Sequence, residues 1–194
     1  MSERLDPAAP PRTHRDPPRP RERPRSLVLV NTGEGKGKST AAFGVMLRAL
    51  ARGWRVCVIQ FVKSEKWKVG EERLGRELGV DWLKGGDGFT WESADLDKSE
   101  GRAAAAWQLA AAAIAGGDYQ LVVLDEITYP MNWGWIPTEE VVAAIRARPG
   151  GVNVVATGRD APAELIELAD TVTEMVKLKH VYDRGVKARR GIDF

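Results

Sequence analysis

The sequence predicts an α/β domain built on an open, mainly parallel sheet of five to six strands with helices on both faces. Three observations carry that expectation. Short apolar runs alternate with longer helical patterns along the chain, the order that builds parallel sheets through crossover helices. The runs are nearly continuous in apolar residues, as strands covered on both faces are. The first of them, SLVLVN, breaks into TGEGKGKST, a glycine-lysine loop between a strand and a helix.

Taken in order, the strands are expected at SLVLVN (26–31), RVCVIQF (55–61), VDWLKG (80–85), YQLVVLDE (119–126) and GVNVVATG (151–158), with TVTEMV (171–176) as a sixth at the edge. Helices are expected between them at 39–51, 70–78, 99–115, 138–147 and 161–169. Thr138 before Glu139 and Glu140 suits an N-cap with acids near the helix dipole, and Asp160 is expected to cap the helix that follows it. Such an arrangement places ligands at the carboxyl ends of the strands.

At 194 residues the chain suffices for one α/β domain with a full core and is short for two large ones. The expected division is an Arg/Pro-rich arm over 1–25 and a folded domain over 26–194. The arm holds seven Arg, four acids and seven Pro, so it carries +3 and leaves the remainder at −1. With almost no large apolar residues it cannot bury enough surface to fold alone, and is expected to be disordered or to order on a partner. It lacks the apolar stretch of a secretory signal, and its acids argue against a transit peptide, which makes cytoplasm the expected compartment. The longest apolar stretches are strand-sized or interrupted by charge, so none spans a bilayer. Cys57, the only cysteine, sits in an apolar run as a small hydrophobe, which excludes a disulfide framework. His14 and His180 leave little material for a histidine triad or metal site.

The loop carries the chemistry. Gly33, Gly35 and Gly37 let backbone N–H groups turn inward on phosphate oxygens. The following helix adds its positive end, Lys38 a cation, and Ser39 a hydroxyl able to ligate magnesium. Thr32 stands where the usual pattern G-x-x-x-x-G-K-[ST] has its first glycine. The fold expected is therefore like that of the P-loop NTPases. LVVLDE, from Leu121 to Glu126, has the form of the acidic strand that accompanies such a loop, and Asp125 and Glu126 are candidate magnesium ligands, directly or through water.

Two aromatic segments follow predicted strands. GGDGFTW (85–91) presents Phe89 and Trp91, and YPMNWGWIP presents Trp133 and Trp135; both are expected to line a broad apolar pocket beside the polyphosphate. Arg159, after the fifth strand, is a phosphate clamp, a cap on a carboxylate or a solvated loop arginine. The closing KLKHVYDRGVKARRGIDF is basic, and is either a solvated face or a phosphate contact.

These segments also carry a family resemblance. TGEGKGKSTAAFG (32–44), VIQFVK (58–63), GFTW (88–91), VVLDEITY (122–129), ATGRDAP (156–162), ADTVTEM (169–175) and GVKARRGIDF (185–194) resemble the P-loop type ATP:corrinoid adenosyltransferases, over nearly everything beyond residue 25. The shortened loop at Thr32 is a feature of that family. The resemblance implies transfer of the 5′-deoxyadenosyl group of ATP to Co(I) of cobalamin or a precursor corrinoid, with release of triphosphate, in adenosylcobalamin biosynthesis or salvage. It implies ATP reversed in the loop, Thr32, Gly33, Glu34, Gly35, Lys36, Gly37, Lys38, Ser39 and Thr40 on the triphosphate with Arg159 beside them, and magnesium or manganese on Ser39 and Glu126 with Asp125. Lys38 and Ser39 would neutralise the leaving group. Phe89 and Trp91 would cover the lower corrin face and ease reduction. An electron-donating reductase or flavoprotein and a homodimer are further implications; in related proteins an N-terminal segment can cover the other protomer's site, and whether the arm over 1–25 does so or has no such role stays open. The tryptophan-rich segment after Tyr129 departs from the family pattern. Two other classes stay open: a P-loop ATPase acting on nucleic acid, disfavoured by the low net charge, and a nonenzymatic regulator that binds ATP or a corrinoid.

Overall fold

The computed structural model describes residues 25–62, 70–85 and 96–192. Six strands, β1 (Val28–Thr32), β2 (Val56–Gln60), β3 (Asp81–Lys84), β4 (Leu121–Asp125), β5 (Asn153–Thr157) and β6 (Thr171–Glu174), pair in the order β3-β2-β4-β5-β1-β6. Every neighbouring pair is parallel. The helices between them are α1 (Lys38–Leu50), α2 (Gly70–Glu77), α3 (Leu96–Gly116), α4 (Thr128–Asn132), α5 (Thr138–Arg146) and α6 (Ala163–Leu168).

The apolar runs explain themselves in the packing. All five residues of β4 are buried, and alternate residues enter different cores. Leu121 and Val123 meet Ala42, Phe43 and Met46 of α1, whereas Val122 and Leu124 meet Trp107 and Ile114 of α3, Ile145 of α5 and Leu165 of α6. Each such Leu, Ile or Val stabilises the fold by about 1.5–3 kcal/mol, so the doubly covered strands form the rigid centre. By contrast all four residues of β6 are exposed, and it closes one edge. Trp107 donates its Nε1 hydrogen to Glu140 Oε1 at 2.7 Å, tying α3 to α5.

Both cap expectations fail, for the same reason. The residue before α5 is Pro137 and the residue before α6 is Pro162, neither with a side-chain cap. Proline's fixed φ and missing N–H suit it to a helix entrance, so Thr138 becomes the first helical residue. Asp160 lies ahead of α6 in a left-handed turn at φ +49. The short α4 and a 3₁₀ turn at Val181–Arg184 were not foreseen.

Topology fixes where a ligand goes. β1 lies between β5 and β6, whereas the chain leaves β1 through α1 to reach β2, beyond β5 and β4. Winding reverses there, and the crevice opens at the carboxyl ends of the strands. The register sets Asn31 beside Thr157 and Gln60 beside Asp125. Among the described residues no helix is long and apolar enough to cross a membrane.

Candidate functional site

The loop that follows β1 is held from behind and braced from within. Gly35 N donates to Met175 O, just beyond β6, at 2.6 Å. Gly33 adopts φ +92, and a Cβ there would stand 2.7 Å from the same carbonyl, so only glycine allows this approach. From the inside, Lys38 Nζ donates to Gly33 O at 2.6 Å and Gly35 O at 2.7 Å. Burial pushes the Lys38 ammonium below the ordinary lysine value and the nearby Arg159 guanidinium adds to this, while Glu34 and Glu126 oppose it. Arg159 Nε lies 3.5 Å from Glu34 Oε2 in a solvent-screened pair.

Around the loop opens a cleft of about 370 Å³. Glu34, Gly35, Lys36, Gly37, Lys38, Ser39, Thr40, Glu126 and Arg159 all line it. Thr32 does not: it is 7% exposed at the end of β1, and its hydroxyl accepts from Ala161 N at 3.2 Å. Asp125 is fully buried, behind the cleft wall. Phe89 and Trp91 lie outside the described residues. The cleft also takes in Glu71 of α2, Tyr129 of α4 and Lys177, His180, Tyr182 and Asp183 from the closing segment. Glu71 Oε2 is buried without a hydrogen-bond partner, an exception to the usual pairing of buried polar atoms. GEERLGRE offered no signal of this, since a charged helix reads as a solvated face.

Glu126 has its place by an unusual backbone. It is one of two non-glycine residues among those described with positive φ, at +65, a conformation that survives only where its surroundings enforce it. The enforcing contact is Glu126 N donating to Thr157 Oγ1 at 2.9 Å. Thr157 Oγ1 in turn donates to Asp125 Oδ1 at 2.9 Å, and Gln60 Nε2 donates to Asp125 Oδ2 at 2.8 Å. On the next turn Gly158 takes φ +145, and a Cβ there would collide with the Thr128 hydroxyl. That hydroxyl donates to Arg159 O at 2.6 Å, aligning the segment that delivers Arg159.

Of the aromatics expected near the cleft, Trp133 stacks at 5.6 Å on Tyr129 and 4.6 Å on Trp135. Trp135 packs against the core and Trp133 is partly exposed. Tyr129, passed over in the sequence, is the member that lines the cleft. Burial raises its phenol above the ordinary tyrosine value, which keeps it a hydrogen-bond donor.

No group of three His, Cys, Asp or Glu side chains among the described residues forms a cage for a metal. Ser39 and Glu126 on one cleft fit a different arrangement, in which magnesium keeps several waters and takes most other ligands from phosphate.

Comparison with known proteins agrees with this geometry. A family model described as ATP:corrinoid adenosyltransferase BtuR/CobO/CobP matches residues 24–194. A corrinoid adenosyltransferase of Pseudomonas aeruginosa is 44% identical over 158 residues, 80% of this chain and 77% of that protein. The corrinoid adenosyltransferase CobA of Salmonella typhimurium is 42% identical over 156 residues, 80% of this chain and 79% of its own. An Escherichia coli corrinoid adenosyltransferase is 41% identical with the same coverage.

Proposed function

Because the chain belongs to the ATP:corrinoid adenosyltransferase family BtuR/CobO/CobP, and so transfers adenosyl from ATP to a corrinoid, we propose that its cleft grips ATP by the triphosphate and presents C5′ to Co(I). The cobalt lone pair forms the Co–C5′ bond while the C5′–O bond breaks, and triphosphate leaves with that electron pair. Co(I) is nucleophilic enough to need no protein base. The protein's task is alignment and neutralisation of charge on the leaving group.

One observation carries the assignment: Lys38, Ser39, Glu126 and Arg159 converge on the cleft around the glycine loop. Lys38, now bonded to the loop's own carbonyls, is poised to exchange them for phosphate oxygens. Amides of the loop and of the start of α1 take the rest of the triphosphate. Ser39 and Glu126 would hold magnesium, or manganese, with Asp125 behind them; the ion supplies further charge neutralisation. Tyr129 and Arg159 line the same cleft. Phe89 and Trp91 are assigned to the lower face of the corrin, where displacing an axial ligand eases reduction. An electron-donating reductase or flavoprotein, a homodimer and a cytoplasmic setting complete the proposal, which leaves cobalamin and its precursors alike as acceptors.

The test is product analysis. ATP, magnesium and chemically reduced cobalamin are incubated with the full chain while the corrin absorption spectrum is followed. Adenosylcobalamin and triphosphate in equal amounts support the proposal. ADP and phosphate would indicate a hydrolase, and no turnover with retained binding would indicate a regulator.

A further inference from the structure

Gln60 is an amide in an otherwise apolar strand, fully buried, and the proposed chemistry gives it no task. Its orientation is set without ambiguity. Indole nitrogen only donates, and Trp82 Nε1 lies 2.9 Å from Gln60 Oε1. Nε2 therefore faces Asp125 Oδ2, at 2.8 Å. Asp125 Oδ1 receives the Thr157 hydroxyl, whose oxygen receives Glu126 N–H. The row crosses four strands, β3, β2, β4 and β5, and each of its four side chains is at most 2% exposed. Every proton in it has one direction, so both ends are determined. One end is the packed indole and the other the left-handed backbone of Glu126. The backbone of Gln60 has a second attachment: its main-chain carbonyl accepts from Gly85 N at 2.8 Å, at the start of GGDGFTW.

We propose that Gln60, through Asp125 and Thr157, is a positioning residue that holds the Glu126 carboxylate where a nucleotide-bound magnesium ion is received. Asp125 then acts as the anchor of this row. The inference rests on the assignment of Glu126 to the metal. A half-satisfied buried network is worse than none, so removing one donor loosens the far end.

Calorimetric ATP binding to the full chain, once with magnesium chloride and once with EDTA, separates a positioning role from a structural one. The ratio of the two affinities is the magnesium-dependent gain. Gln60→Met and Thr157→Val should each reduce that gain about tenfold, roughly the effect of one lost hydrogen bond of about 1.4 kcal/mol, while binding in EDTA changes less than twofold. Thr157→Ser, which keeps the hydroxyl, should restore it. Trp82→Phe removes only the outermost donor and should give a smaller loss in the same direction, which keeps the idea testable if Gln60→Met fails to fold. A full gain in the Gln60 and Thr157 variants, or equal losses with and without magnesium, overturns the proposal. A parent protein with no magnesium-dependent gain overturns the metal assignment beneath it, and that outcome leaves adenosyl transfer itself to be judged by its products.

Discussion

Replacing Gly158 with alanine isolates what the turn after β5 contributes. At φ +145 a side-chain-bearing residue is strained by about 1–3 kcal/mol. The new Cβ would also run into the Thr128 hydroxyl and stand 3.0 Å from Thr128 Cβ. Thr128 is fully buried, and its hydroxyl donates to Arg159 O at 2.6 Å. Pushing it aside leaves the buried hydroxyl unmet and Arg159 O with only the 3.3 Å bond from Asn132 Nδ2, for about 1–3 kcal/mol more. The combined loss of about 2–6 kcal/mol is a large share of the roughly 5–15 kcal/mol that holds an ordinary domain together. Urea unfolding followed by far-UV circular dichroism measures it, with Thr128→Ala and the double variant completing a cycle. Deleting the hydroxyl relieves the nearest collision and not the backbone strain, so the double variant should be more stable than additivity predicts by about 1–2 kcal/mol. A Gly158→Ala protein within about 0.5 kcal/mol of the parent, or strictly additive losses, would refute the reasoning.

Lys38→Met should raise the KM for ATP about 10- to 100-fold through loss of a charge-assisted contact, and an unchanged KM in steady-state assays would exclude it from the triphosphate site. Burial, then Arg159, lowers the Lys38 pKa, so as pH rises the free folded protein sheds this proton before the unfolded chain does. Its contribution to stability therefore rises with pH through that window, while ATP affinity falls and binding takes up a proton; calorimetry in buffers of different ionisation enthalpy, on the alkaline side of neutrality and below the ordinary lysine value, would detect the uptake. Burial, with Asp81 adding to it, pushes the Cys57 thiol up to about 12, so an aromatic disulfide reagent at neutral pH should label it only after denaturation. Phe89→Ala should slow adenosylation from Co(II) far more than from prepared Co(I), and equal losses in the two assays would count against a role in reduction.

What could be read from the chain was whatever a short stretch decides by itself. The inner strands β1, β2, β4 and β5 were visible because burial on both faces makes each a dense apolar run, and the loop because glycine and lysine spacing is itself the phosphate-binding geometry. Strand order, by contrast, depends on contacts between distant segments. Helix entrances were misjudged where proline competes with a polar capper, at Pro137 and Pro162. The site was legible as far as its loop and its acidic pair. Asp125 and Glu126 were both candidate ligands on their residue types, with the family resemblance favouring Glu126, and the backbone separates them, one buried among donors and the other at positive φ on the cleft. Gln60 in RVCVIQF passed as an ordinary strand residue because nothing local reveals a partner on another strand. Tyr129 and Glu71 were missed for the same reason, their place on the cleft being a matter of where α4 and α2 come to rest.

The bond between Gly35 and Met175 joins the glycine loop to the residue that follows β6, the last of the described strands. During synthesis on the ribosome, β1 and the glycine loop emerge early but lack the backing that shapes them until the final strand has been released. A nascent or truncated product that lacks β6 should therefore be unable to sequester cellular nucleotide, and competence would arrive only once that strand has docked beside β1.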